Sequence, residues 1–201
     1  DGVFKSEIVS VEVPQRRADP IVVDTDEEPH SVNMDKLSTL RPAFSKDGTV
    51  TAANASSLND GAAAMVLMAE DAALDMGLKP LARILGYGDA AQDPVQFTTS
   101  PSLAVPAAAD NAKIDINDIE YHEINEAFSV VALANIELLK LDADKVNVFG
   151  GAVALGHPIG MSGARIIGSL YNVLKQKDSS LGCASICNGG GGASAIVIER
   201  L

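Results

Sequence analysis

The run NVFGGAVALGHPIGMSGARIIGSLYNVLKQKDSSLGCASICNGGGGASAIVIERL, Asn147 to Leu201, decides the fold. With Val146 before it, VNVFGGAVAL reads as a buried strand running into glycine, and Gly156 to Lys177 reads as a loop leading into a helix. LGCASIC, Leu181 to Cys187, is a strand, Gly189 to Gly192 a turn, and ASAIVIERL a final strand, so the chain ends in a hairpin. Further back, PLARILGYGDA (Pro80 to Ala90) is strand-like, and SPSLAVPAAADNA suits a helix beginning near Pro101. IEYHEIN (Ile119 to Asn125) is a short strand, and NEAFSVVALANIELLKL (Asn125 to Leu141) a helix apolar on most of its circumference, which predicts burial on several sides. Strands alternating with helices and closing on a hairpin predict an α/β layer around a mixed five-stranded sheet.

Upstream the character changes. Asn54 to Gly77 places N-cap candidates before AMVLMA, expected as a buried strand, and then a short helix closed by Gly77. Residues 1–54 are polar and irregular, with strands expected at Glu7 to Val13 and Ile21 to Val23 behind an Asp1-Gly2 turn. An acidic cluster, Asp24 to Glu28, precedes Lys36, Arg41 and Lys46, as in a solvated mixed-charge surface loop. The sequence opens inside a strand pattern and without Met, which leads us to expect a chain that has been cut.

Composition narrows the function. The 201 residues carry 27 acidic and 15 basic side chains, a formal charge of −12, and this predicts no nucleic-acid partner and no basic face for a membrane. No apolar run reaches the ~18 residues that span a bilayer, and no signal peptide is legible at the start. The two cysteines, Cys183 and Cys187, stand four apart in a strand, about 13 Å, too far for a disulfide. Reduced thiols and an intracellular compartment are the expectation.

Four places could carry chemistry. Asn125, at a strand-to-helix turn, is either an N-cap or a ligand-facing residue, since such turns are where α/β sheets place ligands. Glu126 beside it is either a helix-dipole partner or a buried structural carboxylate. His157 sits in a glycine loop stiffened by Pro158, before a helix opened by Ser162 and Gly163, a reasonable mount for an imidazole acid or base. Cys183 reads as inert core, whereas Cys187 ends its strand at the glycine run, whose N–H groups could lower its pKa and receive an oxyanion. The glycine run matches neither dinucleotide nor P-loop spacing and is accounted for as a hairpin turn.

Together, NEAF at Asn125 to Phe128, GGAVALGHPIGMSGAR at Gly150 to Arg165 and CNGGGGAS at Cys187 to Ser194 resemble the three signatures of the thiolase carboxy-terminal domain, in the family's order. NASSLNDGAAA at Asn54 to Ala64 resembles the segment preceding that domain, and GMSGARI and ASICNGGGGASA look most like the mitochondrial acetoacetyl-CoA branch. The resemblance implies a thiolase-like αβαβα layered fold, of which this chain carries the carboxy-terminal half. Residues 1–54 would belong to the loop domain covering CoA, 55–79 to the last helix and strand of the amino-terminal half, and 80–201 to the carboxy-terminal domain.

By the same resemblance the activity is acetyl-CoA C-acetyltransferase, condensing two acetyl-CoA to acetoacetyl-CoA and reversing by thiolysis. His157 would activate the acyl-carrying cysteine and donate to one oxyanion, and Asn125 would position a water there. Cys187 would be the base in condensation and the acid in thiolysis, and the Gly189 N–H would serve the second oxyanion. CoA would lie against Ser31, Val32, Asn33, Lys36 and Ser56, with potassium on the main-chain oxygens of Ala52, Ala53, Ala55 and Val153 and no redox cofactor. The departure is the acyl-carrying cysteine, which the family places in its first half; no residue here can replace it. The resemblance further implies a homotetramer in the mitochondrial matrix. The alternatives are a thiolase for longer 3-ketoacyl chains, or a non-catalytic thiolase-like module for CoA binding or dimerisation.

Overall fold

The computed structural model describes residues 2–201, so the turn expected on Asp1-Gly2 begins outside the described residues. The two apolar triplets near the start, β1 (Val11–Val13) and β2 (Ile21–Val23), pair with each other as an exposed antiparallel ribbon. The first strand is shorter than its pattern predicts because residues 3–7 form turns. The helix α1 (Glu28–Ser31) and a 3-10 turn at Met34–Thr39 follow, then a second short helix, α2 (Glu70–Asp75). AMVLMA between them is not the buried strand expected. Val66 and Leu67 are 83% and 70% exposed, and the segment finds no partner strand among the described residues.

The central sheet is built from β3 (Ala82–Ala91), β4 (Tyr121–Ile124), β5 (Leu181–Cys187) and β6 (Gly192–Arg200), in the order β3-β6-β5-β4. β5 and β6 form the terminal hairpin, β3 adds antiparallel to β6, and β4 runs parallel to β5, so the sheet is mixed. It has four strands where five were expected. Residues 146–155 keep only a single parallel bridge, His122 to Val146, because Asn147 takes a left-handed φ of +49° and turns the chain away. Asn147 then substitutes for the missing strand. Its side-chain Oδ1 accepts the Ile124 N–H at 2.8 Å and its Nδ2 donates to the Ile124 carbonyl at 2.9 Å.

Helices cover both faces. α3 (Pro101–Ala112) buries Ala104, Val105, Ala108 and Ala109 against Val197, Ala195 and Cys183. Small residues let it approach closely: a Cβ on Gly86 would stand 2.5 Å from the Ala112 nitrogen, and one on Gly88 2.5 Å from the Ala108 nitrogen. α4 (Ser129–Leu139) buries Val131, Ala132 and Asn135, while Leu133 and Leu138 stay 64% and 55% exposed, so only one side of this apolar helix is covered within the chain. After the short α5 (Ala152–Leu155), α6 (Ser162–Gln176) packs Ile166, Leu170, Val173 and Leu174 on the opposite face, against Tyr121, Ala184 and Ile198. Each such side chain contributes about 1.5–3 kcal/mol of transfer free energy. This packing fixes the carboxyl ends of β4 and β5 side by side, where the candidate residues lie.

Candidate active site

Asn125 continues β4 by one residue, its N–H donating to the Ser185 carbonyl on β5 at 2.9 Å. It does not cap α4. The capping position is Phe128, without a side-chain bond, and the Ser129 N–H is met by the Asn54 carbonyl at 2.8 Å. The Asn125 side chain, 1% exposed, instead sends Nδ2 to within 3.3 Å of His157 Nε2, and its Oδ1 has no partner. An orphaned buried amide oxygen is costly unless something else meets it, and water or a ligand group is the natural complement.

The His157 loop is held from two sides. Its N–H donates to the Ser57 carbonyl (3.0 Å) and to Asn59 Oδ1 (3.1 Å), and Asn59 Nδ2 in turn donates to Glu28 Oε1 (2.9 Å). Gly156 turns at φ +90° with Asn59 packed where a Cβ would be. His157 Nδ1 lies 2.7 Å from Ser162 Oγ, whose hydroxyl has the Pro158 carbonyl as acceptor at 3.1 Å. A hydroxyl that donates to a carbonyl must accept from the ring, so we assign the proton of neutral His157 to Nδ1. Nε2 is then the acceptor of the Asn125 amide. Burial, and secondarily the Arg165 charge, hold the His157 pKa below its ordinary value, favouring this neutral form.

Cys187 ends β5, 7% exposed, and burial pushes its thiol pKa up, opposite to the lowering expected from nearby N–H groups. The apolar packing shared with Cys183 outweighs those dipoles. Cys183, 1% exposed, is pushed up to about 12, in keeping with inert core. In the glycine run Gly191 alone takes positive φ, +88°, and Gly189 stands in open space. Glu126 is used structurally: Oε1 accepts from Asn147 Nδ2 (3.0 Å) and Oε2 from the Val153 N–H (3.2 Å), at the mouth of α5.

The remaining expected ligands fall into two groups. Ser31 to Lys36 lie at and just after α1, which packs on α5, so the Glu28–Asn59–His157 chain of bonds ties this stretch to the histidine loop. Ser31 bonds back to the Glu28 carbonyl, Asn33 caps the following turn, and Val32 and Lys36 are exposed. Ser56 is engaged internally, its N–H and hydroxyl both donating to the Ala127 carbonyl at 3.1 and 3.0 Å. Ala55 bridges Phe128 in the same turn, with Ala52 and Ala53 just before it. The His157 N–H turns to Ser57, which leaves the Val153 carbonyl without the donor a continuing helix would provide. Neutral carbonyls near the carboxylate of Glu126 fit a monovalent cation better than a transition metal, and no His, Cys, Asp or Glu cluster among the described residues suits the latter.

Asn59, Asn147 and Asn188 are the residues the sequence did not single out. Asn147, at positive φ, and Asn188, directly before the glycine run, sit where asparagine commonly serves turns; Asn59 carries no such signal.

Two family models cover nearly the whole chain: "Thiolase, C-terminal domain" matches residues 78–200 and "Thiolase, N-terminal domain" residues 1–71. The chain belongs to the thiolase family. It is 58% identical over 199 residues to the acetyl-CoA acetyltransferase of Schizosaccharomyces pombe, covering 98% of this chain and 50% of that protein. It is 54% identical over 201 residues to a Gibberella zeae acetyl-CoA acetyltransferase named as cytosolic, covering 100% of this chain and 50% of that one. Among solved thiolase structures, the Bacillus anthracis acetyl-CoA acetyltransferase superposes with a TM-score of 0.95 at 46% identity, covering 100% of this chain and 51% of that one. The Acat5 thiolase of Ascaris suum, solved in complex with coenzyme A, gives 0.91 at 48% identity, covering 100% and 50%. This thiolase chain therefore spans about half the length of the curated relatives it matches.

Proposed function

We propose that the chain is the carboxy-terminal catalytic portion of an acetyl-CoA C-acetyltransferase, condensing two acetyl-CoA to acetoacetyl-CoA and CoA and running thiolysis in reverse. The observation that carries the reading is the Asn125–His157 pair, 3.3 Å apart, with the buried Asn125 oxygen unmatched. An amide and an imidazole so arranged suit a bound water and a thioester oxygen that turns negative as the reaction proceeds.

Condensation needs an acetyl group held on a thiolate, a base for the methyl carbon of the second acetyl-CoA, and donors for two oxyanions. His157 Nε2, free of a proton at rest, takes the proton of the acyl-carrying cysteine; protonated there, it donates, with the water set by Asn125, to the oxyanion of the second thioester. Cys187, as thiolate, takes the methyl proton; the carbanion attacks the acyl carbonyl, and its oxyanion rests on the Gly189 N–H until the C–S bond to the enzyme breaks. In thiolysis Cys187 returns the proton to carbon, and the raised pKa of its buried thiol suits that acid role. Ser31 to Lys36 and Ser56 line the CoA path, with Lys36 as a phosphate contact. Potassium, when bound, supplies positive charge beside that path, held by the carbonyls of Ala52, Ala53, Ala55 and Val153.

The 201 residues include no acyl-carrying cysteine, so purified alone the chain should not turn over, and steady acetoacetyl-CoA formation by it would overturn this mechanism. The exposed apolar residues of 65–68 and of α4 support a further half and a homotetramer covering them. Short-chain specificity is tested by comparing acetoacetyl-CoA with a long-chain 3-ketoacyl-CoA as thiolysis substrates. Efficient cleavage of the long chain would overturn it. The mitochondrial matrix rests on resemblance alone and the cytosol is its rival; fractionation of cells expressing the protein separates them.

A further inference from the structure

Four consecutive glycines could present a row of backbone N–H groups as an anion nest. Here nearly all of them are taken. Asn188 Oδ1 accepts from the N–H of Gly190 (3.1 Å) and of Gly192 (3.3 Å), and the Asn188 carbonyl accepts from Gly191 (3.2 Å). The Asn188 N–H donates back to the Gly192 carbonyl at 2.9 Å. Among the described residues no acceptor meets the Gly189 N–H, and a Cβ built on Gly189 would find nothing within 4 Å. The far side is pinned too. The Gly191 carbonyl receives Ser100 Oγ at 2.7 Å, from a residue 0% exposed, and the Gln92 N–H at 3.0 Å.

We propose that Asn188 is a positioning residue for acetyl transfer: its side chain occupies the Gly190 and Gly192 N–H groups so that the loop presents the Gly189 N–H alone, two residues beyond Cys187. The proposal rests on the acetyl-transfer reading above. The physical sense is selectivity between states. A nest of three or four free donors binds any anion, including the phosphates that CoA carries, and would hold ground states tightly. One aimed donor binds a neutral thioester oxygen weakly and gains strength as that oxygen becomes an oxyanion, which accelerates the step rather than merely tightening binding.

Two measurements test it. In the 201-residue chain, Asn188→Ala should speed amide hydrogen exchange at Gly190 and Gly192 at least about ten-fold while the β5 and β6 amides stay protected, and Asn188→Asp, which keeps the acceptor, should retain protection. In the active enzyme containing these residues together with the acyl-carrying cysteine, Asn188→Ala should lower kcat roughly ten- to a hundred-fold with KM for acetyl-CoA nearly unchanged. Unchanged exchange at both glycines, wild-type kcat in the Asn188→Ala enzyme, or a loss confined to KM would each overturn the proposal alone. Absence of acetyl transfer in the unsubstituted enzyme would overturn the acetyl-transfer reading and the proposal with it.

Discussion

Glu123 offers a quantitative test of the fold beneath the site. It lies on β4 two residues before Asn125, 2% exposed, and burial pushes its carboxyl pKa up to about 8, with nearby Arg165 opposing and Glu7 and Glu126 adding to the rise. In the unfolded chain the same carboxyl titrates near its ordinary 4.5. Below pH 4.5 it is protonated in both states, and its stabilising contribution is fully present. Between 4.5 and 8 the unfolded chain releases a proton that the folded chain keeps, so stability falls by about 1.4 kcal/mol per pH unit. The loss is about 3 kcal/mol by pH 7 and about 5 kcal/mol by pH 8, where the folded-state carboxyl also ionises. Glu123→Gln mimics the protonated form and removes this dependence. Buried His122, held down to about 4 against an ordinary 6.5, acts in the opposite sense, adding stability that is present above 6.5 and lost as pH falls through 4, so the wild-type decline should emerge above pH 6.5. Urea unfolding of wild type and Glu123→Gln from pH 5 to 8, keeping only the difference between them, isolates Glu123. Curves that remain parallel across that range would refute the protonated, buried carboxyl.

Gly88→Ala should cost about 1–3 kcal/mol in urea unfolding because its Cβ meets the α3 backbone 2.5 Å away, while Gly160→Ala, with nothing within 4 Å, should stay within about 0.5 kcal/mol; equal effects would contradict the close helix–strand approach. Iodoacetamide followed by peptide mass mapping should label Cys187 well before Cys183, with the Cys187 rate climbing as pH rises toward its raised pKa; equal rates would show that the β5 end is not the more open of the two. In the active enzyme, Ser162→Ala removes the acceptor on His157 Nδ1 and should reduce kcat on the order of ten-fold or more with a shifted pH–rate profile, and Ser162→Thr should restore much of it.

What the sequence made legible follows from what its patterns measure. The hairpin and the two long helices were readable because their glycines, prolines and apolar spacings act locally: Pro101 opens α3, and the glycine run turns β5 into β6. The missing fifth strand was not readable because VNVFGGAVAL carries a strand's composition, while the decisive event is the positive φ of Asn147, whose side chain closes the β4 edge from 23 residues away. AMVLMA misled for a related reason. Apolar composition predicts that a segment will be covered, not that the covering surface lies in the same chain, and here Val66 and Leu67 face outward.

The site divides along the same line. Asn125, His157, Cys187 and Gly189 are legible as candidates because each stands beside a strand end or in a glycine loop, while the 3.3 Å contact of Asn125 with His157 has no sequence signal. The residues that set their chemical state are not legible. Ser162 fixes the His157 tautomer through one hydroxyl, Asn59 holds the loop through one amide, and Asn188 chooses which glycine N–H remains free. Each acts by occupying a hydrogen-bonding group that would otherwise compete, and such an effect has no compositional signature until the partners share coordinates. Asn125 is the counterpart: a residue read as a candidate cap proves to cap nothing, and the unmatched oxygen it keeps beside His157 is what the proposed reaction role rests on.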